Sequence, residues 1–207
     1  MEELRMLSTQ KDNTTLPLKV SLRKKALQRC SNPIVLEAFG GYGHIFRACY
    51  QEIAEGVVME SNPSKVRVLA VQRPTWAVYE GDAERLLAAG VGAHLPVNFL
   101  DVDPYGSPFA SIAGFFGSDR PFPGEVHIVV NDGLRRSAQL NVGWKVKELA
   151  ELVEEFGNSN VCKRYLEVAR EKVRRLVGVA GYELAEWMGY YCGSGECVTH
   201  YHAVLRK

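Results

Sequence analysis

The sequence predicts a doubly wound α/β fold, in which helices cover both faces of a mostly parallel sheet. Five short apolar segments rich in β-branched and aromatic residues alternate with helical segments, as expected for parallel strands joined by crossover helices. Two more strand-like segments near the C-terminus flank a Gly-containing turn and predict an antiparallel hairpin. Of the 207 residues, 46% are hydrophobic, which suffices for one sizeable core and favours a single domain.

Each element has its own signal in the sequence. The predicted parallel strands are residues 33–39, 56–61, 75–80, 97–103 and 125–131, and the hairpin strands are residues 181–192 and 197–205. Apolar residues at helical spacing predict helices over residues 45–53, 146–156 and 162–176. Ser107 followed by Pro108 predicts a further helix with the serine as its N-cap. Residues 1–31 are expected to form an N-terminal arm and residues 32–207 the α/β domain.

Composition narrows the class of protein. The net charge of +1 gives no strong overall attraction to nucleic acid or to an anionic membrane, so such binding would need a local basic patch. The polar N-terminus does not resemble a signal peptide, and no apolar run approaches the ~18 residues of a membrane span. Five irregularly spaced cysteines do not predict a disulfide framework. A cytoplasmic protein without membrane association is expected.

Acidic and glycine residues recur where the predicted strands end. In an open α/β sheet, ligands bind outside the carboxyl ends of the strands, so these residues are candidate ligand contacts. They are Glu37, Gly40, Gly41 and Gly43 after the first strand, Glu60 after the second, Asp82 and Ala83 after the third, and Asp101 and Asp103 at the fourth. Glu60 and Asp82 could also be solvated loop acids, and Asp101 and Asp103 could cap the following helix.

The Gly-rich turn does not fit a dinucleotide site. Phe46 stands where the dinucleotide fingerprint has its third glycine, which closely packed helices require. Glu60 nevertheless follows Gly43 by 17 residues in the sequence. At about this spacing from the turn, an acid accepts hydrogen bonds from ribose hydroxyls. These two features disfavour NAD and still indicate a nucleoside-containing ligand.

Taken together, the strand-end motifs over roughly residues 33–205 resemble those of the class I S-adenosylmethionine-dependent methyltransferases. More narrowly, "DVDPYGSP" at residues 101–108, with "GDA" at residues 81–83, resembles the tRNA guanine N2-methyltransferase family, whose motif has the form Asp-x-Asp-Pro-Phe/Tyr-Gly-Ser-Pro. The turn "FGGYG" departs from that family, which tends to have a Thr-Gly turn followed by arginine. The resemblance implies S-adenosyl-L-methionine as cofactor and a nucleic acid as partner, with tRNA as the first candidate.

The motif suits methylation of an exocyclic amino group on a nucleobase. Such a nitrogen is a poor nucleophile, because its lone pair is delocalised into the ring, and a site must orient it and accept its hydrogens. Asp103 is predicted to accept an amino hydrogen, with a carbonyl near Pro104 as a second acceptor and Tyr105 stacking on the base. Tyr105 could instead close the core. No cysteine lies in the motif, which disfavours methylation at cytosine C5.

Basic and metal-binding patterns leave alternatives open. Arg135 and Arg136 follow the fifth strand at the mouth of the predicted site and are candidate phosphate contacts. Two other basic clusters could contact phosphates or be solvated helix faces: Lys19, Arg23, Lys24, Lys25 and Arg29, and Arg170, Lys172, Arg174 and Arg175. Strand alternation opposes a metal site built from Cys192, Cys197, His200 and His202. Alternative functions are methylation of DNA adenine, a small molecule or a protein, or binding without catalysis.

Overall fold

The computed structural model describes residues 15–136 and 149–207, which form one seven-stranded sheet in the order β3-β2-β1-β4-β5-β7-β6. The strands are β1 Val35–Glu37, β2 Gly56–Glu60, β3 Ala77–Glu80, β4 Phe99–Val102, β5 Glu125–Asp132, β6 Glu183–Cys192 and β7 Val198–Arg206. Strands β1 to β5 pair in parallel, whereas β7 pairs antiparallel with both β5 and β6. The predicted mixed sheet with a terminal antiparallel hairpin is therefore confirmed.

Helices cover both faces of this sheet. They are α1 Leu16–Leu27, a short π-helix Phe46–Tyr50, α2 Pro63–Gln72, α3 Ala83–Ala88, α4 Phe109–Gly117, α5 Ala150–Phe156, α6 Asn158–Lys163 and α7 Tyr165–Gly178. One apolar layer forms between the sheet and α1, the π-helix and α2, with Leu22, Phe46 and Leu69 among its residues. The larger layer on the other face includes residues of α3, α4 and α7. Burial on both faces explains why β2 and β4 are apolar except at Glu60 and Asp101.

The predicted helices differ from the observed ones at their ends. Helix α4 begins at Phe109, with Pro108 as the N-cap residue, so the predicted Ser107 cap is displaced by one position. Ser107 still accepts a hydrogen bond from the Phe109 N–H. The predicted helix 162–176 is divided between α6 and α7, and residues 146–148 of the predicted helix 146–156 lie outside the described residues.

Residues 15–31 of the predicted N-terminal arm pack against the sheet. Helix α1 lies against β5, β7 and the π-helix, and its residues Leu22, Arg23 and Ala26 are buried. Among the described residues, no helix is long and apolar enough to cross a membrane.

A buried carboxyl group follows β5 and predicts a pH-dependent stability. Asp132 is fully buried and accepts hydrogen bonds from the Leu134 N–H at 2.9 Å and the Tyr165 hydroxyl at 2.7 Å. Burial raises the pKa of Asp132 from 3.8 to about 7. Between about pH 4 and pH 7 the folded state therefore holds a proton that the unfolded state has lost, so this group's contribution to the free energy of unfolding falls as pH rises.

We expect Asp132→Asn to remove this contribution, because the amide carries no charge in either state. The free energy of unfolding of the variant minus that of the wild type should increase as the pH rises from 4.5 to 8. Urea unfolding of both proteins at three pH values in this range tests the prediction, and the difference between the two curves separates Asp132 from the buried histidines, whose lowered pKa values act in the opposite direction. Parallel curves would show that Asp132 does not titrate as described.

Candidate functional site

A cleft lies at the carboxyl ends of the first three strands. Its walls come from the segments that follow β1, β2 and β3, namely Ala38, Phe39, Glu60, Ser61, Gly81, Asp82 and Ala83. Three residues predicted to contact the cofactor, Glu60, Asp82 and Ala83, are thus brought together from two strand ends. They converge because parallel strands place their carboxyl ends at one edge of the sheet.

Glu60 ties the Gly-rich turn to the second strand. One of its carboxylate oxygens accepts a hydrogen bond from the Gly41 N–H at 2.9 Å, and the other accepts one from the Asn62 N–H at 2.9 Å. A carboxylate has about four acceptor positions, so these bonds leave capacity for the hydroxyl groups of a ligand. Asp82 is the N-cap of α3 and accepts a hydrogen bond from the Arg85 N–H at 3.0 Å. Asp82 therefore has a local structural role as well as its place on the cleft wall.

Glycine is required at two positions of the turn. Gly41 and Gly43 have φ angles of +54° and +73°, which side chains rarely adopt. A Cβ atom at Gly43 would stand 2.1 Å from the Gln72 Oε1 atom, whereas one at Gly41 would meet nothing within 4 Å. Gly43 therefore allows the turn to approach α2, and Gly41 directs its N–H toward Glu60. Gly40 is also closely packed, since a Cβ there would lie 2.5 Å from Val58.

Glu37 forms a buried ion pair below this turn. Its carboxylate lies 2.6 Å from an Arg73 guanidinium nitrogen, and both side chains are almost fully buried. Arg73 also lies over the Phe46 ring, 4.3 Å from its centroid. Burial raises the pKa of Glu37 to about 7, although Arg73 opposes the shift. The structure gives Glu37 a protein partner, and its role as a cofactor contact stays a prediction.

Asp101 is held by protein groups on both of its oxygens. Arg23 donates two hydrogen bonds, from Nε at 2.7 Å and from Nη2 at 2.5 Å, and the Tyr50 hydroxyl donates a third at 2.6 Å. All three side chains are buried. This arrangement joins α1, the π-helix and β4 at the centre of one face of the sheet. The prediction that Asp101 contacts a cofactor remains untested.

Asp103 lies just beyond β4 and is partly accessible, with 17% of its side chain exposed. The Lys19 ammonium group donates to both of its oxygens at 2.9 Å, and the Asn131 amide donates to one of them at 2.6 Å. Tyr105, two residues further on, is 87% exposed. An aromatic ring presented to solvent beside a partly accessible carboxylate is available for stacking, and this exposure does not support the alternative that Tyr105 closes the core.

A neutral histidine stands beside this carboxylate. His200 on β7 is paired in register with Asn131 on β5, and its Nδ1 atom lies 3.2 Å from the Tyr190 hydroxyl. Tyr190 donates to the Leu18 carbonyl, so the histidine Nδ1–H donates to the tyrosine oxygen and Nε2 carries the lone pair. Burial, with nearby Arg23 and Lys19, lowers the pKa of His200 to about 4. His200 is therefore uncharged near neutral pH.

The two candidate phosphate residues differ in their surroundings. Arg135 lies 4.2 Å from the Tyr191 ring centroid and donates to the Cys162 and Glu196 carbonyls, whereas Arg136 is exposed. Arg135 is thus already engaged by the protein. Phosphate binding by this pair stays a prediction, and Arg136 is the member available to a ligand.

Arg174 and Arg175 of the basic cluster on α7 are paired with acids. Glu171 bonds both Arg174 and Arg175, and Arg175 also contacts Glu155, which favours the interpretation as a solvated helix face. Within residues 15–136 and 149–207, no group of three or more His, Cys, Asp or Glu side chains could hold a metal ion.

Several site residues were not predicted from the sequence. Asn131 could have been found, because it stands near the end of β5, where the strand-end argument applies equally. Tyr50 and Arg73 carry no such signal, since they come from helix ends far from their partners Asp101 and Glu37 in the chain.

Comparison with known proteins identifies the fold. No family model and no curated protein sequence matches this chain. Trm1 from Pyrococcus horikoshii, solved with S-adenosyl-L-methionine, superposes with a TM-score of 0.64 and 14% identity, over 94% of this chain and 55% of that chain. This is the Rossmann-like methyltransferase fold.

Other solved structures with this methyltransferase fold agree. TYW2 from M. jannaschii, in complex with AdoMet, has a TM-score of 0.56 and 12% identity, over 91% of this chain and 76% of that chain. The N-methyltransferase NodS from Bradyrhizobium japonicum has a TM-score of 0.59 and 12% identity, over 96% of this chain and 99% of that chain. The present chain therefore spans about half of Trm1 and nearly all of NodS.

Proposed function

We propose that this protein is an S-adenosylmethionine-dependent methyltransferase that methylates an exocyclic amino group of a nucleobase, with guanine N2 in tRNA as the first candidate. The observation that carries this proposal is Asp103 with exposed Tyr105 beside it, at the same sheet edge as the cleft. The Ala38 N–H donates to the Asp101 carbonyl at 2.9 Å, which joins the segment lining the cleft to the strand that leads to Asp103. A cofactor in the cleft and a base on Tyr105 would then be neighbours.

The cleft offers groups that suit the proposed cofactor. Glu60 provides carboxylate acceptors for ribose hydroxyls, and Asp82 and Ala83 provide a second wall at the end of β3. Gly41 adds no side chain to the turn above Glu60. Three solved structures with this fold, Trm1, TYW2 and NodS, were determined with S-adenosylmethionine or S-adenosylhomocysteine, which supports this choice of cofactor.

In the proposed reaction, the Asp103 carboxylate accepts a hydrogen from the substrate's amino group. S-adenosylmethionine supplies a methyl group whose bond to sulfur breaks as its bond to the amino nitrogen forms. The nitrogen would become cationic and lose a proton, and the proposed acceptor of that proton is the Asp103 carboxylate. Before transfer, a hydrogen bond to Asp103 orients the amino group and increases the electron density on its nitrogen. Pro104 fixes the backbone φ directly after the carboxylate.

Tyr105 supports a planar substrate. A side chain that is 87% exposed can stack on a base that is single-stranded or flipped out of a helix, and such stacking contributes about 1–3 kcal/mol. Exposed Arg136 is available for a phosphate contact.

A second candidate is methylation of an amine on a small molecule. Nearly the whole of NodS, an N-methyltransferase, is covered by this chain, whereas only 55% of Trm1 is covered. Incubation with labelled S-adenosylmethionine and, in separate reactions, bulk tRNA, DNA, protein extract and a small-molecule extract distinguishes the candidates. Label in tRNA supports the first proposal, and label only in the small-molecule fraction supports the second. Cofactor binding with no label in any fraction would contradict both.

The cofactor assignment makes a specific prediction for Glu60. We expect Glu60→Ala to weaken S-adenosylmethionine binding by about 1–3 kcal/mol, the cost of losing charge-assisted hydrogen bonds. Part of the loss reflects the turn, because the Gly41 N–H loses its acceptor. Isothermal titration calorimetry measures the affinity. Glu55→Ala is the matched control, since Glu55 is an exposed acid that precedes β2 at the opposite end of the strand. Equal affinities in the two variants would remove Glu60 from the cofactor site.

A further inference from the structure

Helix α1 brings a cation to Asp103. In the proposed function, the Asp103 carboxylate accepts a hydrogen bond from the substrate's amino group. Lys19 Nζ lies 2.9 Å from each Asp103 oxygen, although the two residues are 84 positions apart in the chain. Only 14% of the Lys19 side chain is exposed, so this pair is partly desolvated. We propose that Lys19 is a positioning residue for methyl transfer, which holds the Asp103 carboxylate in the orientation that receives the substrate's amino hydrogen. This inference rests on the proposed function.

The helix that carries Lys19 is firmly attached to the sheet. Arg23, one turn further along, is buried and makes two hydrogen bonds to Asp101. Leu22 and Ala26 are buried in the apolar layer on the same side, and the Leu18 carbonyl accepts a hydrogen bond from Tyr190 on β6. Lys19 therefore reaches Asp103 from a fixed backbone. A lysine on a mobile segment would lose more entropy in holding one geometry.

Asn131 on β5 also holds the Asp103 carboxylate in place. Its amide donates to Asp103 Oδ1 at 2.6 Å, so two donors from α1 and β5 define the plane of the carboxylate. Together, Lys19 and Asn131 use three of about four acceptor positions. One position remains for an amino hydrogen. Two fixed donors and one open acceptor position make a directional site, whereas a freely rotating carboxylate would not be directional.

The geometry also explains why a lysine, and not a neutral donor, suits this position. Tyr190 and His200 on the neighbouring strands are uncharged partners of one another, and Arg23 lies 3.6 Å from the second Asp103 oxygen. Lys19 and Arg23 together place positive charge beside the Asp103 oxygens, which attracts the carboxylate toward α1. A misplaced reacting group can cost on the order of 100-fold in rate, which sets the scale of the expected effect.

The test compares Lys19→Met with the conservative Lys19→Arg. Methionine keeps an unbranched apolar side chain at this position but donates no hydrogen bond. Arginine can still donate to both Asp103 oxygens. The matched control is Lys24→Met, an exposed position on the same helix. Single-turnover methyl transfer to the substrate fraction labelled by the wild type gives the rate of the chemical step, and calorimetry gives cofactor affinity.

We expect Lys19→Met to lower the single-turnover rate about 10- to 100-fold at saturating substrate, with KM and cofactor affinity changed less than about threefold. Lys19→Arg should recover most of the rate, and Lys24→Met should match the wild type. A parental rate in Lys19→Met would overturn the inference while leaving the proposed function intact. A rate above that of the wild type would also overturn the inference, because Lys19 would then compete with the substrate's amino group for the Asp103 carboxylate.

A second measurement does not depend on activity. In protein labelled with ¹³C at aspartate, the side-chain carboxyl signal of Asp103, assigned with Asp103→Asn, should shift in Lys19→Met and stay unchanged in Lys24→Met. An unshifted signal would show that Lys19 does not hold the carboxylate in solution. If Lys19→Met does not fold, the same comparison uses Lys19→Gln. Absence of transfer by the wild type, with the expected shift present, would overturn the proposed function and leave the contact established.

Discussion

Asp103→Ala is expected to lower the rate of methyl transfer by at least about 100-fold, which is the usual scale for removing a positioned acid–base or electrostatic group. The variant should remain folded, because Asp103 is 17% exposed and the freed Lys19 ammonium can reach solvent. Cofactor affinity should be unchanged, since the cleft is lined by residues that follow β1, β2 and β3. Single-turnover transfer at saturating cofactor and substrate measures the effect on the chemical step.

The matched control for this prediction is Asp119→Ala. Asp119 is an exposed aspartate beyond the C-terminal end of α4. Its replacement by alanine therefore removes the same chemical group at a position away from the cleft. Its transfer rate should equal that of the wild type. Parental transfer by Asp103→Ala would make "DVDPYG" a structural motif here, and methylation of an amino group through this carboxylate would be contradicted.

Arg23→Met is expected to destabilise the protein by about 3–5 kcal/mol, because it leaves the buried Asp101 carboxylate without its cation. The pair has two hydrogen bonds, at 2.5 Å and 2.7 Å, and both side chains are about 1% exposed. Tyr50 would still donate one bond, which cannot replace the lost charge. Urea unfolding at pH 7 measures the change.

Two comparisons separate the ion pair from the packing of α1. Lys24→Met makes the same substitution at an exposed position of α1 and should change stability by less than about 0.5 kcal/mol. Adding Asp101→Asn to Arg23→Met removes the unpaired charge and should restore part of the stability. A loss below about 1 kcal/mol in Arg23→Met would show that the ion pair is not an essential part of the fold.

The sheet was predictable because its signals are local. Segments such as residues 56–61 and 97–103 are short, apolar and β-branched, and the strands observed there begin and end within two residues of the predicted limits. Strand alternation with helices then brought Glu60 and Asp82 to one cleft through the geometry of parallel strands. Helix ends were less predictable, as α4 and the division between α6 and α7 show.

The partners of the strand-end acids were not predictable in the same way. Lys19 and Arg23 were interpreted only as members of a basic cluster, because charge at i and i+4 does not reveal whether a helix face is solvated or buried. The nearby apolar positions Leu22 and Ala26 lie on the same face, which is the signal that could have placed this face against the sheet. Arg23 and Asp101 are 78 residues apart in the chain, and Lys19 and Asp103 are 84 residues apart. Both pairings therefore depend on tertiary packing.

We propose that this chain transfers a methyl group from S-adenosylmethionine to an exocyclic amino group of a nucleobase. The most direct measurement is mass spectrometry of the nucleosides from bulk unmodified tRNA after incubation with the protein and deuterated-methyl S-adenosylmethionine. We expect a deuterated methyl group on a base nitrogen, with N2-methylguanosine as the first candidate, and we expect Asp103→Ala to abolish it. A deuterated methyl group found only on carbon or ribose, or no labelled nucleoside from a protein that binds the cofactor, would contradict the claim.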